Sequence, residues 1–470
     1  MTLVDERAAA ITVPPPPAAV HFVGIGGIGM SGLARILHAW GYQVTGSDAA
    51  ASEQTSALRQ EGIPVSIGHD DIEAASGADF VIVTAAVRAD NPEVAAARGR
   101  NVPTVKRAQL LGMLANFRRC LAVAGTHGKS TTSGMLASAL LALQMDPSYA
   151  IGAVVNATGA NAGAGSGEAM VVEADEYDYS FLWLTPDVAV VTNIEYDHPD
   201  LFPNQAAYDD AFARFVDGIR AGGCLVIAAD DPGCARLLKR WTPAANQSLV
   251  TFGETPEADW HLSGDEKGWW LRGSDGVGRT MELNVPGRHN ARNAAAAVAA
   301  MVAFGVESER AVASLDAYTG IGRRFEVKGE VGGVTIVDDY AHHPSEIRAT
   351  LDAARRCYPG RRLWAIFQPH TYTRTKALLH DFADALANAD EIVLLDIYPA
   401  REIDTLGVSS ADLLRRLPGH AWLGGSPDET TKLILSGVRA GDVVLTLGAG
   451  DITSVGPALL ADLIAKQGAA

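Results

Sequence analysis

The stretch RCLAVAGTHGKSTT, residues 119–132, decides the fold class, because an apolar run passes through a glycine-rich loop into a segment of helical composition. A strand followed by a short loop and a helix is the first half of a β-α-β unit, whose strands are parallel. The same order recurs in VHFVGIG (20–26), MVVEADE (170–176), VAVVTNI (188–194), CLVIAAD (224–230), TIVDDYA (335–341), LWAIFQPH (363–370) and DVVLTLGAG (442–450). The sequence therefore predicts an α/β protein with parallel sheets.

The strand and helix series predict three domains. We expect a disordered leader over residues 1–18, which contains four consecutive prolines, and then a Rossmann-like domain over 19–113. A central P-loop-type domain with a parallel sheet should cover 114–322, and a second Rossmann-like domain 323–470. Because ligand sites of open α/β sheets lie at the carboxyl ends of strands, we look for functional residues there.

Composition and charge exclude several classes of protein. Hydrophobic residues make up 48% and charged residues 20% of the 470 residues, as in ordinary globular proteins. The net charge is −17 and Lys and Arg form no runs, which argues against a nucleic-acid partner. The longest wholly apolar stretch, 294–304, is too short for membrane insertion. Four cysteines without a CxxC pair suit the reducing cytoplasm, where we expect the protein.

The loop at residues 125–132 contains the GK[ST] end of a phosphate-binding loop, with Val123 in place of the motif's first glycine. The chemistry survives this departure, because the backbone amides of such a loop cradle phosphate. Lys129 can reach the β- and γ-phosphate oxygens, and Ser130 can ligate Mg²⁺. The alternative is a surface loop with a solvated lysine.

Two later strand ends supply candidate metal ligands. Glu173 ends one predicted strand, and Asp197 or His198 follows another. Mg²⁺ prefers oxygen ligands, so a structural role for His198 stays open. The acidic residues that follow Glu173 could equally form a solvated turn; they are Asp175, Glu176 and Asp178.

The segment PGRHNARNAAAA begins a strongly helical alanine run. His289, Asn290 and Asn293 could hydrogen-bond a nucleotide base. Helix capping alone would also explain Asn290.

Gly24 to Gly29 match GxGxxG after a predicted strand, and Asp48 ends the next strand, as in a dinucleotide fingerprint. Glycines let the backbone approach a diphosphate, and a helix N-terminus favours its charge. NAD(P), FAD, another nucleotide diphosphate and a tight structural turn all stay open.

Eight motifs occur in a fixed order: GIGGIGMSGLA, AGTHGKSTT, EADEYDYSFL, TNIEYDH, PGRHNARNA, GRRFE, DDYAHHP and FQPHTYTRT. With these motifs the chain resembles the Mur ligase family over residues 19–465. The resemblance implies an ATP-dependent acid–amino-acid ligase of cytoplasmic peptidoglycan precursor synthesis, and hence of cell shape and division. The implied reaction joins L-alanine to the lactyl carboxylate of UDP-N-acetylmuramate through an acyl phosphate, releasing ADP and phosphate. It also implies two Mg²⁺ ions, for which Mn²⁺ could substitute, with ATP as co-substrate.

The resemblance implies roles for particular residues. The UDP-sugar would contact Gly26, Gly27, Ile28, Gly29, Asp48, Thr84 and Ala85. ATP would contact Gly125, Thr126, His127, Gly128, Lys129, Ser130, Thr131, His289, Asn290, Asn293, Arg324, Asp339 and Tyr340. Ser130, Glu173 and His198 would hold the metal ions, and Lys129, Glu173, His198, His370 and Arg374 would be catalytic.

The third domain is expected to close over ATP. Arg374 is our candidate for holding a carboxylate, because a guanidinium fork matches a planar oxyanion; a surface salt bridge is the alternative. Thr371 stands where many relatives would have a basic residue, so one anion contact could be missing. The amine proton would pass to His370 or solvent. Gly320 and Gly322 are the predicted hinge, against a rigid three-domain body.

Three other functions compete with this prediction. A salvage ligase would add a murein tripeptide to the same UDP-sugar, although GIGGIGMSG favours the alanine-adding branch. A regulator would bind UDP-sugar or ATP without turnover. A nicotinamide-dependent oxidoreductase would leave Lys129 and Glu173 without a role. Whether the chain is a monomer or a homodimer is left open.

Overall fold

The computed structural model describes residues 12–84, 87, 88, 90–244, 246–265 and 267–468. Three sheets organise them, which confirms the prediction of three α/β domains. Within these residues no helix combines the length and the apolar character needed to cross a membrane.

The predicted disordered leader is wrong at its C-terminal end. Residues 1–11 lie outside the described residues. Val13 and Ala18, however, are 6% and 7% exposed and belong to the first apolar core. Burial of these side chains outweighs the disorder that the proline run suggested.

The first domain is a five-stranded parallel sheet in the order β3-β2-β1-β4-β5. The glycine loop joins its central strand β1 to α1. The elements are β1 (Ala19–Val23), α1 (Ile28–Ala39), β2 (Gln43–Asp48), α2 (Glu53–Gln60), β3 (Val65–Ile67), α3 (Ile72–Gly77), β4 (Phe80–Val83), α4 (Pro92–Gly99), β5 (Thr104–Lys106) and α5 (Arg107–Asn116).

The central domain is a ten-stranded sheet in the order β15-β14-β13-β12-β11-β10-β6-β9-β7-β8. Its elements are β6 (Arg119–Ala124), α6 (Lys129–Ala142), β7 (Ser148–Val155), β8 (Ala160–Gly163), β9 (Ala169–Glu173), β10 (Val188–Val191), α7 (Gln205–Asp217), β11 (Cys224–Ala228), α8 (Pro232–Leu238), β12 (Ser248–Gly253), β13 (Trp260–Asp265), β14 (Gly268–Arg272), β15 (Gly278–Met281), α9 (Arg288–Phe304) and α10 (Ser308–Ala313). Short 3₁₀ helices cover Tyr177–Trp183 and Ser314–Ala317. The centre is parallel as predicted, but β14 runs antiparallel to β13 and β15, and β8 antiparallel to β7.

The third domain is a six-stranded sheet in the order β16-β17-β21-β18-β19-β20, parallel except for β16. Its elements are β16 (Glu326–Val331), β17 (Val334–Asp339), α11 (Pro344–Cys357), β18 (Leu363–Phe367), α12 (Tyr372–Ala377), α13 (Leu379–Leu386), β19 (Glu391–Leu395), α14 (Ser410–Leu414), β20 (Ala421–Gly425), α15 (Pro427–Gly437), β21 (Val443–Leu447) and α16 (Val455–Gly468), with a 3₁₀ helix at Asp451–Ser454.

The apolar cores show how the domains are joined. One cluster of buried side chains runs from Val13 to Ile321, through the first and central domains. The third domain has separate clusters on the two faces of its own sheet. Since polar contacts are weaker than a shared apolar core, the third domain is the one better able to move.

The junction before the third domain lies at residues 322 and 323. Gly320 accepts a hydrogen bond from Asn156 N (3.1 Å), and Gly322 N donates to Val154 O (2.8 Å), so both glycines are held by the central domain. Arg323 O instead accepts from Tyr340 N (2.7 Å) of the third domain. The boundary predicted after residue 113 falls inside α5. Both boundaries and the hinge stay predictions.

Candidate active site

A cleft of about 1040 Å³ lies between the central and third domains. Predicted ATP-site residues that line it are His127, Gly128, Thr131, His289, Asn290, Asn293, Arg324 and Asp339. Tyr340 lies beside it, with its ring 5.3 Å from the guanidinium carbon of Arg324. The phosphate loop and the third domain thus face each other across one space.

The central sheet brings the predicted metal ligands together. Strand β6, which leads into the phosphate loop, lies between β9 and β10 in a parallel arrangement. Val123 is in register with Glu173 at the end of β9, and His198 follows β10. Helix α6 begins at Lys129 and carries Ser130, which is 7% exposed. One sheet edge therefore holds the loop and its candidate ligands.

Glycine is required at two positions of the phosphate loop. Gly125 and Gly128 have φ angles of 138° and 81°, in the region that favours glycine. A Cβ at Gly125 would collide with the hydroxyl of Thr192, and one at Gly128 with the amide oxygen of Asn293. Asn293 therefore packs against the phosphate loop.

Lys129 is held by a buried carboxylate. Its Nζ donates to Glu176 Oε2 (2.8 Å) and to the backbone oxygens of Gly125 (2.7 Å) and Thr126 (3.2 Å). Burial disfavours the charge on Lys129, but Glu176 outweighs it and raises the pKa of the lysine. Burial likewise opposes ionisation of Glu176, yet Lys129 lowers its pKa to about 2. The predicted solvated turn is wrong for Glu176, which is 1% exposed.

The same carboxylate reaches the second predicted metal ligand. Glu176 Oε1 accepts from the hydroxyl of Tyr208 (3.1 Å) and lies 3.6 Å from His198 Nε2. Burial opposes protonation of His198, but the contact with Glu176 raises its pKa. Glu173 accepts from Gly152 N (2.8 Å). Sequence reasoning missed Glu176 because its motif gave no sign of burial.

Arg374 forms a buried ion pair with Asp197. Its Nε and Nη2 donate to the two carboxylate oxygens of Asp197 (2.8 and 3.1 Å), and both side chains are 4% exposed. Its Nη1 donates to His370 O (2.8 Å) and to His370 Nδ1 (3.1 Å). The guanidinium donors are thus used within the protein in this structure, and a carboxylate-binding role for Arg374 stays a prediction. The pair is also buried, unlike the surface salt bridge considered as its alternative.

His370 is a poor proton acceptor. Burial and the neighbouring Arg374 lower its pKa to about 4. A neutral ring whose Nδ1 accepts from Arg374 carries its proton on Nε2. A lowered pKa makes His370 a weak base and favours solvent, and which of the two takes the amine proton stays a prediction.

Carboxylates that the sequence did not single out join the central and third domains. His127 lies between Glu195 (2.9 Å) and Glu346 (3.3 Å), and Glu195 also accepts from the hydroxyl of Ser345 (2.8 Å). Burial opposes charging of His127, but the two glutamates raise its pKa to about 9. Glu346 also lies 3.3 Å from Arg324. The sequence contained one signal for Glu346. It lies three residues after His343, the spacing of a capping box, and the two residues form that box at the start of α11.

The residues expected at the adenine side start α9. Burial lowers the pKa of His289 to about 4, so its ring is neutral. Asn290 donates to Pro286 O (2.6 Å) from within the helix, whereas the N-cap is Gly287. The capping explanation of Asn290 is therefore wrong.

Another cleft, of about 650 Å³, lies between the first and central domains and contains Gly29, Arg107 and Glu173 in its lining. In chain order it is called the first cleft, and the cleft between the central and third domains is called the second. Glu173 thus connects the first cleft to the phosphate-loop edge. Arg107, which the sequence analysis missed, lies against Gly29, since a Cβ there would be 3.1 Å from Arg107 Cδ. A cation beside a glycine loop suits a diphosphate.

The other residues predicted for the UDP-sugar hold the first loop. Asp48 accepts from Gly26 N (2.8 Å), and the methyl group of Thr84 packs against Gly24. Gly27 is the N-cap of α1, and Ile28 is 45% exposed at its start. Ala85 lies outside the described residues.

The structure is that of a three-domain α/β protein with a phosphate-loop motif in one of its two interdomain clefts. Its segments match three family descriptions: "Mur ligase family, catalytic domain" at 19–119, "Mur ligase middle domain" at 123–301 and "Mur ligase, glutamate ligase domain" at 323–450. The chain belongs to the Mur ligase family.

Individual relatives share most of their length with it. A UDP-N-acetylmuramate–L-alanine ligase from Streptomyces avermitilis is 46% identical over 460 residues, covering 95% of this chain and 97% of the relative. The crystal structure of a UDP-N-acetylmuramate-alanine ligase from Thermotoga maritima superposes with a TM-score of 0.77 at 29% identity, covering 96% of this chain and all of the other. A murein peptide ligase from Psychrobacter arcticus gives 0.72 at 27% identity, covering 95% and 98%.

Proposed function

We propose that this protein is an ATP-dependent ligase that joins L-alanine to the lactyl carboxylate of UDP-N-acetylmuramate in peptidoglycan precursor synthesis. The observation that carries the proposal is the position of Glu173, which ends β9 beside the phosphate loop and also lines the first cleft. A UDP-sugar held in the first cleft would therefore direct its acyl end toward ATP held in the second. The 46% identity to an enzyme of this name supports the choice of substrates.

In the proposed reaction, a carboxylate oxygen attacks the γ-phosphorus of ATP, and the bond to the bridging oxygen breaks to release ADP. The neutral amine of L-alanine then attacks the acyl carbon, inorganic phosphate leaves, and the amine loses one proton. The first step brings two anions together, so cancelling charge is its main demand. Lys129 supplies a positive charge at the start of α6, where helix N–H groups also face the phosphates.

The residues present fit a magnesium requirement. Ser130 and Glu173 offer hydroxyl and carboxylate oxygens, which Mg²⁺ prefers, while His198 would have to release Glu176 to act as a ligand. We propose that these three residues hold up to two ions, with Mn²⁺ as a substitute. Bound ions would neutralise charge on the transferring phosphoryl group. The third domain's contacts at His127 and Asp197 would keep water from the acyl phosphate.

The salvage ligase is the less favoured alternative, because the murein peptide ligase superposes less well than the alanine ligase and the relatives at 41–46% identity carry the name of the alanine ligase. The two candidates differ only in the amine substrate. We further propose a cytoplasmic location, since ATP and UDP-sugars are made there and the four cysteines form no CxxC pair.

Release of ADP and phosphate, with the product mass, tests the function. The protein is given Mg-ATP, UDP-N-acetylmuramate and either L-alanine or the murein tripeptide. We expect turnover only with L-alanine, and its loss in Lys129→Ala but not in Lys432→Ala, which removes an exposed lysine of α15. Turnover with the tripeptide alone would move the protein to the salvage branch. Binding of both nucleotides without turnover would leave a regulator.

A further inference from the structure

The proposed reaction needs a cation for the carboxylate of the incoming amino acid. In an α-amino acid one carbon separates the amine from the carboxylate, so that cation must lie within a few ångströms of the acyl carbon. The arginines that frame the central and third domains already face carboxylates. Arg374 lies on Asp197, Arg324 on Glu346, and Arg323 on Asp338.

Arg401 is placed differently. Its guanidinium carbon lies 5.2 Å from the ring centroid of Tyr177, on the central domain. Tyr177 in turn packs edge-on against His198, with centroids 5.0 Å apart. The guanidinium is therefore within about 10 Å of the His198 ring. Among the described residues no carboxylate lies within ion-pair distance of Arg401, and an aromatic ring leaves its N–H donors available to an oxyanion.

The loop that carries Arg401 is fixed against the FQPHTYTRT segment. Tyr398 stacks on His370, with centroids 5.7 Å apart and planes 10° from parallel, and its N donates to Pro369 O (2.9 Å). Glu402 accepts from Thr371 Oγ1 (2.6 Å) and Thr373 N (2.9 Å). Thr371 stands where a basic residue was expected. Through its bond to Glu402 it holds in place the residue that follows Arg401.

We infer that Arg401 binds the carboxylate of the incoming amino acid and makes the enzyme select α-amino acids over simple amines. The inference rests on the proposed function. Tyr177 helps to fix the guanidinium of Arg401. Its hydroxyl donates to Asp200 (3.1 Å), and this bond holds the ring on which Arg401 lies. The competing explanation is that Arg401 only fastens the third domain to Tyr177.

Arg401→Met and Arg401→Lys separate the two explanations, with Arg416→Met as the control. Arg416 is another arginine of the third domain, and its side chain donates to Asp412 O (2.8 Å). For each variant, kcat and KM are measured for L-alanine, ATP and UDP-N-acetylmuramate. L-Alaninamide, which has the same α-amino group and side chain but a neutral amide in place of the carboxylate, is compared as an alternative amine.

Loss of a charge-assisted, bidentate contact should lower kcat/KM for L-alanine in Arg401→Met by about 10- to 100-fold. The KM values for ATP and the UDP-sugar should stay within about twofold, Arg401→Lys should be intermediate, and selectivity for L-alanine over the amide should collapse. Equal losses with both amines, or a rise in KM for the UDP-sugar, would overturn the inference in favour of a domain contact. If the wild-type protein turns over and Arg401→Met is equally active, the inference about Arg401 is refuted and the proposed function stands. If the wild-type protein does not turn over, the proposed function is refuted.

Discussion

Replacement of Arg374 by methionine tests whether a buried ion pair fastens the third domain. The change keeps an unbranched side chain but leaves Asp197 without its cation. The pair is bidentate, at 2.8 and 3.1 Å, and both side chains are 4% exposed. Removing one partner of a buried pair typically costs about 3–5 kcal/mol, because the other charge stays buried. At about 1.4 kcal/mol per tenfold change, opening of this contact should become more than 100-fold easier.

Hydrogen exchange measures that opening directly, because amide protection reports the free energy of local opening. We expect α12 (Tyr372–Ala377) and the segment after β10 to exchange faster in Arg374→Met, while β11 is unchanged. Asp197→Asn should reproduce the effect, and the double variant should recover part of it, as a double-mutant cycle requires of coupled residues.

The opposite pattern would refute the reasoning. If Arg374→Met leaves exchange unchanged within about 0.5 kcal/mol and raises only the KM for L-alanine, then Arg374 holds the substrate carboxylate. Asp197 would then be incidental, and Arg401 would not be needed as the cation for that carboxylate.

Three further predictions concern the phosphate loop and the first cleft. Glu176→Gln should tighten ATP binding about tenfold by calorimetry and slow turnover, because Lys129 no longer has a competing carboxylate; weaker binding would contradict this. The pKa of His127 is raised to about 9, so the ion pair with Glu195 is fully formed below about pH 6.5 and is lost as pH rises through 9. Over that range the free energy of opening of α11, measured by hydrogen exchange, should fall by up to about 2 kcal/mol. His127→Gln should not show this pH dependence. Arg107→Ala should weaken UDP-sugar binding about 10- to 100-fold and leave ATP binding unchanged, and an equal loss for both ligands would count against it.

Local patterns predicted the fold and the pieces of the site. Short apolar runs that end in glycine or acidic residues identified the parallel strands, and because the carboxyl ends of such strands share one edge, Lys129, Glu173 and His198 were predicted to lie together. Their strands β6, β9 and β10 are adjacent. The antiparallel strands β13 to β15 carry no such loops, and the strand and helix series did not reveal them.

Contacts between domains could not be predicted in the same way. Asp197 and Arg374 are 177 residues apart, and only the docking of two finished domains brings them together. A sequence shows that Arg374 is a cation but not which oxyanion it meets, so a substrate carboxylate and Asp197 are equivalent at that stage. The burial of Glu176 arises within the central domain, where the later helix α7 brings Tyr208 over it, and the motif around Glu176 does not show this contact.

The carboxylates that hold these cations indicate how the site stays ordered before its substrates bind. Lys129 and His127 each face a glutamate, and Arg324 faces Glu346, in the region where a nucleotide triphosphate would add several negative charges. Without such partners the three cations would repel one another in a poorly solvated cleft. We therefore expect phosphate oxygens of ATP to replace these glutamates as partners of the cations. Binding of ATP then exchanges one anion for another instead of ordering free side chains, so the entropic cost of assembling the site is met during folding.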